Sequence, residues 1–128
     1  MAAFTHHGAA MHPDCLILYV KSPAESVLFY SRLLGREPVE HHPNFAMFQL
    51  NESTSLGLWA AHDAQPASSV RGGGTEICVT LANDAAVEQA ASAWEAMGWP
   101  VLQAPTAMDF GYTATTADPD GHRIRVFR

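Results

Sequence analysis

The clearest structural signal in the chain is Ala117-Asp118-Pro119-Asp120-Gly121-His122-Arg123-Ile124-Arg125-Val126, close to the C-terminus. Asp-Pro-Asp-Gly favours a tight turn, because proline presets one backbone angle and glycine accepts the left-handed conformation that closes the turn. After it, apolar Ile124 and Val126 alternate with charged Arg123 and Arg125, which indicates a strand with one buried face. The segment therefore predicts a turn that leads into the last strand of a sheet.

Upstream, the first half of the chain has the pattern of one strand, one helix and three more strands. Residues 15–20 are a short apolar run of strand length. Ser22-Pro23-Ala24-Glu25 is typical of a helix start, since serine caps, proline fits the first turn and glutamate completes a capping box. Gly35 is placed to end that helix. Three further strands are predicted, over residues 37–41, 45–50 and 55–60.

The second half repeats this order. A strand over 76–81 precedes a helix that starts near Asn83 and stops at Gly98, and strands follow over 99–103, 112–116 and 123–127. The repeat predicts an α+β fold of two βαβββ modules in tandem. We expect a flexible leader at 1–13 and a single domain at 14–128, with module one at 14–60, a linker at 61–74 and module two at 75–128.

Composition narrows the class of protein. The 128 residues are 48% hydrophobic and 16% charged, which is ordinary for one globular domain. A net charge of -6 disfavours binding to nucleic acid. No run approaches the roughly 20 apolar residues that span a bilayer, and no cationic secretory signal opens the chain. We expect a cytoplasmic protein that binds neither nucleic acid nor membrane, with Cys15 and Cys78 as reduced, buried thiols.

Beyond the leader, the chain resembles the vicinal-oxygen-chelate superfamily of glyoxalases, dioxygenases and bleomycin-resistance proteins. The resemblance rests on Val20-Lys21-Ser22-Pro23-Ala24-Glu25-Ser26-Val27-Leu28-Phe29-Tyr30, on Leu34-Gly35 and on Asp118-Pro119-Asp120-Gly121. It implies that each βαβββ unit curls into a half-barrel with its helix outside, and that paired units enclose a cavity. It also implies a homodimer in which strands of two chains share each cavity.

The same resemblance places Cys15, Gly57, Glu76 and Arg125 where the family's enzymes carry metal ligands. Glycine has no ligating group, and a guanidinium is permanently cationic. The resemblance therefore implies a binding protein without catalysis, metal or cofactor, in which we hypothesise that Glu76 and Arg125 pair. Two alternatives are a metal-dependent enzyme of the glyoxalase or extradiol-dioxygenase type, and metal-free catalysis by His122 or Cys78.

Within the superfamily, the chain is most similar to phenazine antibiotic-resistance proteins. Leu56-Gly57-Leu58-Trp59-Ala60, Phe110-Gly111-Tyr112 and the Asp118–Val126 stretch carry this similarity. It implies sequestration of a planar aromatic antibiotic, with or without a carboxylate. Trp59 is then the stacking platform, with space beside it at Gly57, and Arg125 meets either Glu76 or a ligand carboxylate. Further ligand contacts are Phe45 or Phe48, Phe110 or Tyr112, and Tyr19, for which a dimer contact is the alternative.

Overall fold

The chain builds two four-stranded sheets, each accompanied by one long helix. A computed structural model describes residues 10–69 and 72–128. The first module contains β1 (Cys15–Val20), α1 (Pro23–Leu34), β2 (Glu40–His41), β3 (Phe45–Gln49) and β4 (Ser55–Ala60). A short 3₁₀ turn at Ala61–Asp63 follows it. The second module contains β5 (Glu76–Thr80), α2 (Asp84–Ala96), β6 (Val101–Met108), β7 (Gly111–Ala117) and β8 (Arg123–Phe127).

The two sheets have the same strand order. It is β1-β4-β3-β2 in the first sheet and β5-β8-β7-β6 in the second. In each module the first and last strands pair in parallel and the remaining pairs are antiparallel. The predicted α+β fold of two tandem βαβββ modules is confirmed. The leader predicted at 1–13 falls largely on residues 1–9, which lie outside the described part of the chain.

Local sequence signals fix both helix boundaries. The Ser22 hydroxyl accepts a hydrogen bond from the Glu25 backbone N–H at 3.3 Å, and Gly35 ends α1 with a φ of 63°. Asn83 caps α2 through the Ala86 N–H at 2.9 Å. Gly98, just past α2, has a φ of 77°, which glycine adopts without steric cost. Within the described ranges, no helix is long and apolar enough to cross a membrane.

Two strands differ in length from the prediction by three residues, and the others differ by no more than two. The strand predicted over 37–41 is only Glu40–His41, and the one predicted over 99–103 extends as Val101–Met108. The longer strand runs through Pro105, a residue that normally interrupts a sheet. Because β6 is an edge strand and its pairing with β7 is irregular between Gln103 and Thr106, it tolerates a proline.

The modules are joined through the helix-facing sides of their sheets. Tyr30 on α1 is fully buried, and Ile124 on β8 belongs to the same apolar cluster although it comes from the other module. Phe29, also on α1, has its ring centroid 4.1 Å from that of Trp99 in the second module. Helix α1 therefore packs on both sheets. Trp94 on α2 is 3% exposed and belongs to the second apolar cluster.

The Asp118–His122 turn is the polar part of this junction. Asp118, only 5% exposed, accepts from the Tyr30 hydroxyl at 2.7 Å through Oδ2 and from the His122 backbone N–H at 2.9 Å through Oδ1. The His122 ring donates from Nε2 to the backbone carbonyl of Tyr19 at 2.9 Å. His122 is 8% exposed, so it is buried in this junction although it lies in a turn. The Asp118–His122 turn therefore also joins the two modules.

Candidate functional site

Three aromatic residues share the face of the first sheet that points away from α1. Tyr19 on β1, Trp59 on β4 and Phe45 on β3 are register partners across adjacent strands, so their side chains project from the same side. All three are half-buried, and the Tyr19 and Trp59 ring centroids are 6.2 Å apart at a tilt of 50°. We call these three residues the aromatic patch.

Gly57 lies on the same face but does not leave the open space that the sequence suggested. A Cβ at this position would lie 2.5 Å from Ile17 Cδ1 and 3.1 Å from the Phe45 ring. The expectation of an empty slot beside Trp59 is therefore wrong, because Ile17 and Phe45 already fill it. Instead, the absence of a side chain lets the Phe45 ring lie close against β4.

The structure separates the paired aromatic candidates by face. Phe48 is fully buried on the helix-facing side, with its ring centroid 6.5 Å from that of Tyr30. Tyr112 also turns toward its helix, where its hydroxyl donates to Glu88 Oε2 at 3.0 Å, and this contact raises the pKa of the phenol. Phe45 and Phe110 are thus the members of each pair that lie outside the two apolar clusters.

Arg125 is the centre of a polar group on the second sheet. Its Nε donates to Glu76 Oε1 at 2.7 Å and its Nη2 to Glu76 Oε2 at 3.0 Å. Its Nη1 donates to Gln103 Oε1 at 2.9 Å and to Thr113 Oγ1 at 3.1 Å. The hydrogen bond from Arg125 holds the pKa of the Glu76 carboxyl below its ordinary value. The hypothesised pairing of Glu76 with Arg125 is confirmed.

Phe110 extends this polar group with an aromatic ring. It lies in the turn between β6 and β7 and is 54% exposed. The Arg125 guanidinium carbon is 5.8 Å from the Phe110 ring centroid, within cation–π range. The Phe127 ring meets Phe110 edge-on at 6.1 Å. We call Glu76, Gln103, Phe110, Thr113 and Arg125 the arginine cluster.

Sequence reasoning did not identify Gln103 and Thr113. Thr113 lies on β7, where its hydroxyl also donates to the Val126 carbonyl at 2.8 Å. Gln103 lies on β6, and the pairing of β6 with β7 shifts register both before and after this residue. Strand alternation could have pointed to Thr113. An irregular pairing such as that of Gln103 has no periodic signal.

Both cysteines lie at exposed positions, contrary to the expectation that they are buried. Cys15 is on β1 and Cys78 is on β5, and both thiols are free. The apolar runs around them suggested interior strands. However, β1 and β5 are edge strands of their sheets, so each lacks a neighbour on one side.

The four positions that the resemblance assigned to metal ligands divide between the two sheets. Cys15 and Gly57 belong to the first sheet, and Glu76 and Arg125 to the second. The side chains do not fit a divalent ion, because glycine offers no donor and the guanidinium is a cation already bound to the one carboxylate. In residues 10–69 and 72–128, no group of three or more His, Cys, Asp or Glu could hold a metal.

The larger clefts of the single chain lie away from both groups. One of about 480 Å³ runs between α1 and the segment around Trp99, on the helix side. A smaller one of about 260 Å³ borders the aromatic patch at Tyr19 and is also lined by Ile17 and His122. The aromatic patch and the arginine cluster are thus open sheet faces in one chain, not the walls of a closed cavity.

Comparisons with known proteins agree with this fold. A model of the Glyoxalase/Bleomycin resistance protein/Dioxygenase superfamily matches residues 11–126. The chain is 27% identical to the phenazine antibiotic resistance protein EhpR of Enterobacter agglomerans over 122 residues. The matched region covers 93% of this chain and 93% of EhpR.

Two solved structures are similar to the chain over most of its length. One is a protein from Agrobacterium tumefaciens studied by NMR in solution, with 48% identity, a TM-score of 0.84 and coverage of 92% of this chain and 97% of that one. A glyoxalase-related enzyme from Fulvimarina pelagi has 22% identity, a TM-score of 0.81 and coverage of 92% and 88%, and this likeness concerns the fold alone. With its tandem βαβββ modules and a family match over residues 11–126, the chain belongs to the Glyoxalase/Bleomycin resistance protein/Dioxygenase superfamily.

Proposed function

We propose that this protein binds a planar, phenazine-like aromatic antibiotic without transforming it, and so confers resistance by sequestration. The observation that carries the proposal is the ion pair of Arg125 with Glu76. The family resemblance assigns both residues to positions where related enzymes would hold a metal. The similarity to a phenazine resistance protein supports the ligand class. Fold membership alone would not, because one fold hosts many functions.

The aromatic patch supplies the contact that a flat ring needs. Trp59, flanked by Tyr19 and Phe45, offers half-buried aromatic surface on a rigid sheet. Aromatic pairs gain about 0.5–1.5 kcal/mol beyond the burial of their area. Because these side chains are held on strands, they lose little conformational freedom when a ligand binds. A planar fused ring is the ligand shape that such a surface recognises best.

The proposal includes a homodimer, because each half of the site lacks an opposite wall in one chain. The free edges of β1 and β5 present exposed apolar residues, with Leu16 52%, Ile17 39% and Val79 37% exposed. Exposed apolar strand edges are surfaces that proteins normally cover. In our proposal, a second copy covers these edges and brings the aromatic patch of one chain opposite the arginine cluster of the other.

The catalytic alternatives have less support from the side chains. A metal-dependent reaction would need donors that Gly57 and Arg125 do not offer. His122 is buried and its Nε2–H is committed to the Tyr19 carbonyl, which leaves it poorly placed as an acid or base for a bound ligand. Cys78 is exposed on an edge strand. We place the protein in the cytoplasm, where both exposed thiols would stay reduced.

The proposal is tested by titrating the protein with phenazine. Tryptophan fluorescence reports binding, with N-acetyltryptophanamide as the control for light absorbed by the ligand. We expect saturable quenching with one phenazine per chain, unchanged by a metal chelator. Chromatography of the ligand released after prolonged incubation should return phenazine alone. A reaction product, or quenching no greater than that of the free indole control, would contradict the proposal.

A further inference from the structure

The hydrogen bonds of Arg125 limit what this residue can offer a ligand. A guanidinium has five N–H donors. The Nε–H and one Nη2–H are committed to the two oxygens of Glu76. Both Nη1–H groups are committed, one to Gln103 and one to Thr113. One Nη2–H is left for anything that enters the site.

Carboxylate recognition by arginine normally uses two parallel N–H groups at once. In this protein Glu76 already occupies that pair of donors, and its carboxylate is 28% exposed beside the 18% exposed arginine. A carboxylate on the ligand would therefore have to displace Glu76 or lie close to it. Displacement leaves the partly exposed Glu76 carboxylate without its partner, and proximity brings two negative charges together.

A second arginine in the described part of the chain faces the same region. Arg123 is the register partner of Glu76 on β8, and its positive charge also lowers the pKa of the Glu76 carboxyl. Arg123 is exposed, so its attraction for a ligand anion is weakened by water and salt. The Phe110 ring, which is apolar, lies against the Arg125 guanidinium. Within the arginine cluster, the charge of Arg125 is thus balanced by that of Glu76.

From these contacts we infer that the site selects an uncharged planar heteroaromatic ring with a hydrogen-bond acceptor, such as a ring nitrogen or a carbonyl oxygen, and discriminates against a ring that carries a carboxylate. This inference rests on the proposed function and specifies its ligand class. The acceptor takes the remaining Nη2–H of Arg125. Glu76, Gln103 and Thr113 are the residues that set this selectivity, because they consume the other donors.

The test compares phenazine with phenazine-1-carboxylate at neutral pH, by equilibrium dialysis against the wild-type protein. We expect phenazine to bind about tenfold more tightly. In Glu76→Gln the neutral amide frees a donor and leaves the guanidinium positive, so the carboxylate should gain about tenfold while phenazine changes little. Arg123→Ala is the control, and it should leave the wild-type preference in place.

The outcomes separate this inference from the proposed function. If wild-type protein binds the carboxylate more tightly, and Arg125→Ala or Arg123→Ala removes that excess, the selectivity is overturned and sequestration stands. If neither compound binds, the proposed function fails and the inference fails with it. The comparison in wild-type protein needs no variant, so poor folding of Glu76→Gln would not prevent a decision.

Discussion

Arg125 and Glu76 form a two-point ion pair, with Nε–Oε1 at 2.7 Å and Nη2–Oε2 at 3.0 Å, between the parallel neighbours β8 and β5. Because Glu76 lies on an edge strand, the contact also ties that edge to the sheet. The family resemblance assigns both residues to positions of metal ligands in the enzymes. In this protein the two side chains neutralise each other's charge on the face of the second sheet.

The ion pair makes stability depend on pH in acid. Arg125 lowers the pKa of Glu76 below its ordinary value of 4.5, so the contribution is complete above 4.5 and is lost as the pH falls through the lower folded-state value. We expect Glu76→Gln to be about 1 kcal/mol less stable at neutral pH, with the difference shrinking below pH 4.5. Urea unfolding across this range measures it. Glu52→Gln, in an exposed loop, should match wild type, and a pH-independent deficit in Glu76→Gln would show that the charge is irrelevant.

Trp59 should dominate the affinity for a flat ring. Replacing it with alanine removes contact area and the stacking contribution, so phenazine binding should weaken at least about tenfold. Trp94→Phe is the matched control, because Trp94 is 3% exposed in the core and should change stability and not affinity. Equilibrium dialysis measures both variants. Equal affinity in wild type and Trp59→Ala would remove this residue from the site.

Tyr30 should matter for the joining of the two modules. Its hydroxyl donates to the buried carboxylate of Asp118 at 2.7 Å, and Tyr30→Phe leaves part of that carboxylate unsatisfied. We expect a loss of about 2 kcal/mol in the free energy of unfolding. Tyr112→Phe removes a comparable bond to Glu88 in a more accessible place and should cost clearly less. Equal losses in the two variants, measured by urea unfolding, would argue against a special role for the turn.

The open edge of β1 should govern dimerisation. Leu16→Lys places a charge on an apolar edge that is 52% exposed in one chain, and we expect it to shift the protein to monomers at micromolar concentration. Leu28→Lys, on α1 at a position 70% exposed, is the control and should remain dimeric. Sedimentation velocity distinguishes the states. A wild-type monomer that still binds phenazine would refute the shared site.

The order of helices and strands could be predicted from sequence because capping and turn residues act locally. Ser22, Gly35 and the Asp118–Gly121 turn act through their own backbones, so their meaning does not depend on distant contacts. Strand alternation likewise put Arg125 on the face opposite to Ile124 and Val126. These signals were sufficient for the element order, whereas the pairing of Arg125 with Glu76 was predicted from the family resemblance.

Features that depend on contacts between distant segments could not be predicted from the sequence. The Cys15 and Cys78 runs are as apolar as interior strands, and only the strand order shows that they lie at edges. His122 is buried because α1 and β1 bring the Tyr19 carbonyl to it across the module boundary. The space at Gly57 is filled by Ile17 and Phe45, neighbours that no local pattern identifies.

The most direct test of a ligand site at the aromatic patch is an NMR titration of the three tryptophan indoles with phenazine. Trp59 lies in the aromatic patch, Trp94 in the core and Trp99 against Phe29. Single Trp→Phe variants assign the three Nε1–H resonances. We expect the Trp59 resonance to shift saturably while those of Trp94 and Trp99 stay in place. A stationary Trp59 resonance at saturating phenazine, or shifts confined to Trp94 and Trp99, would contradict the account.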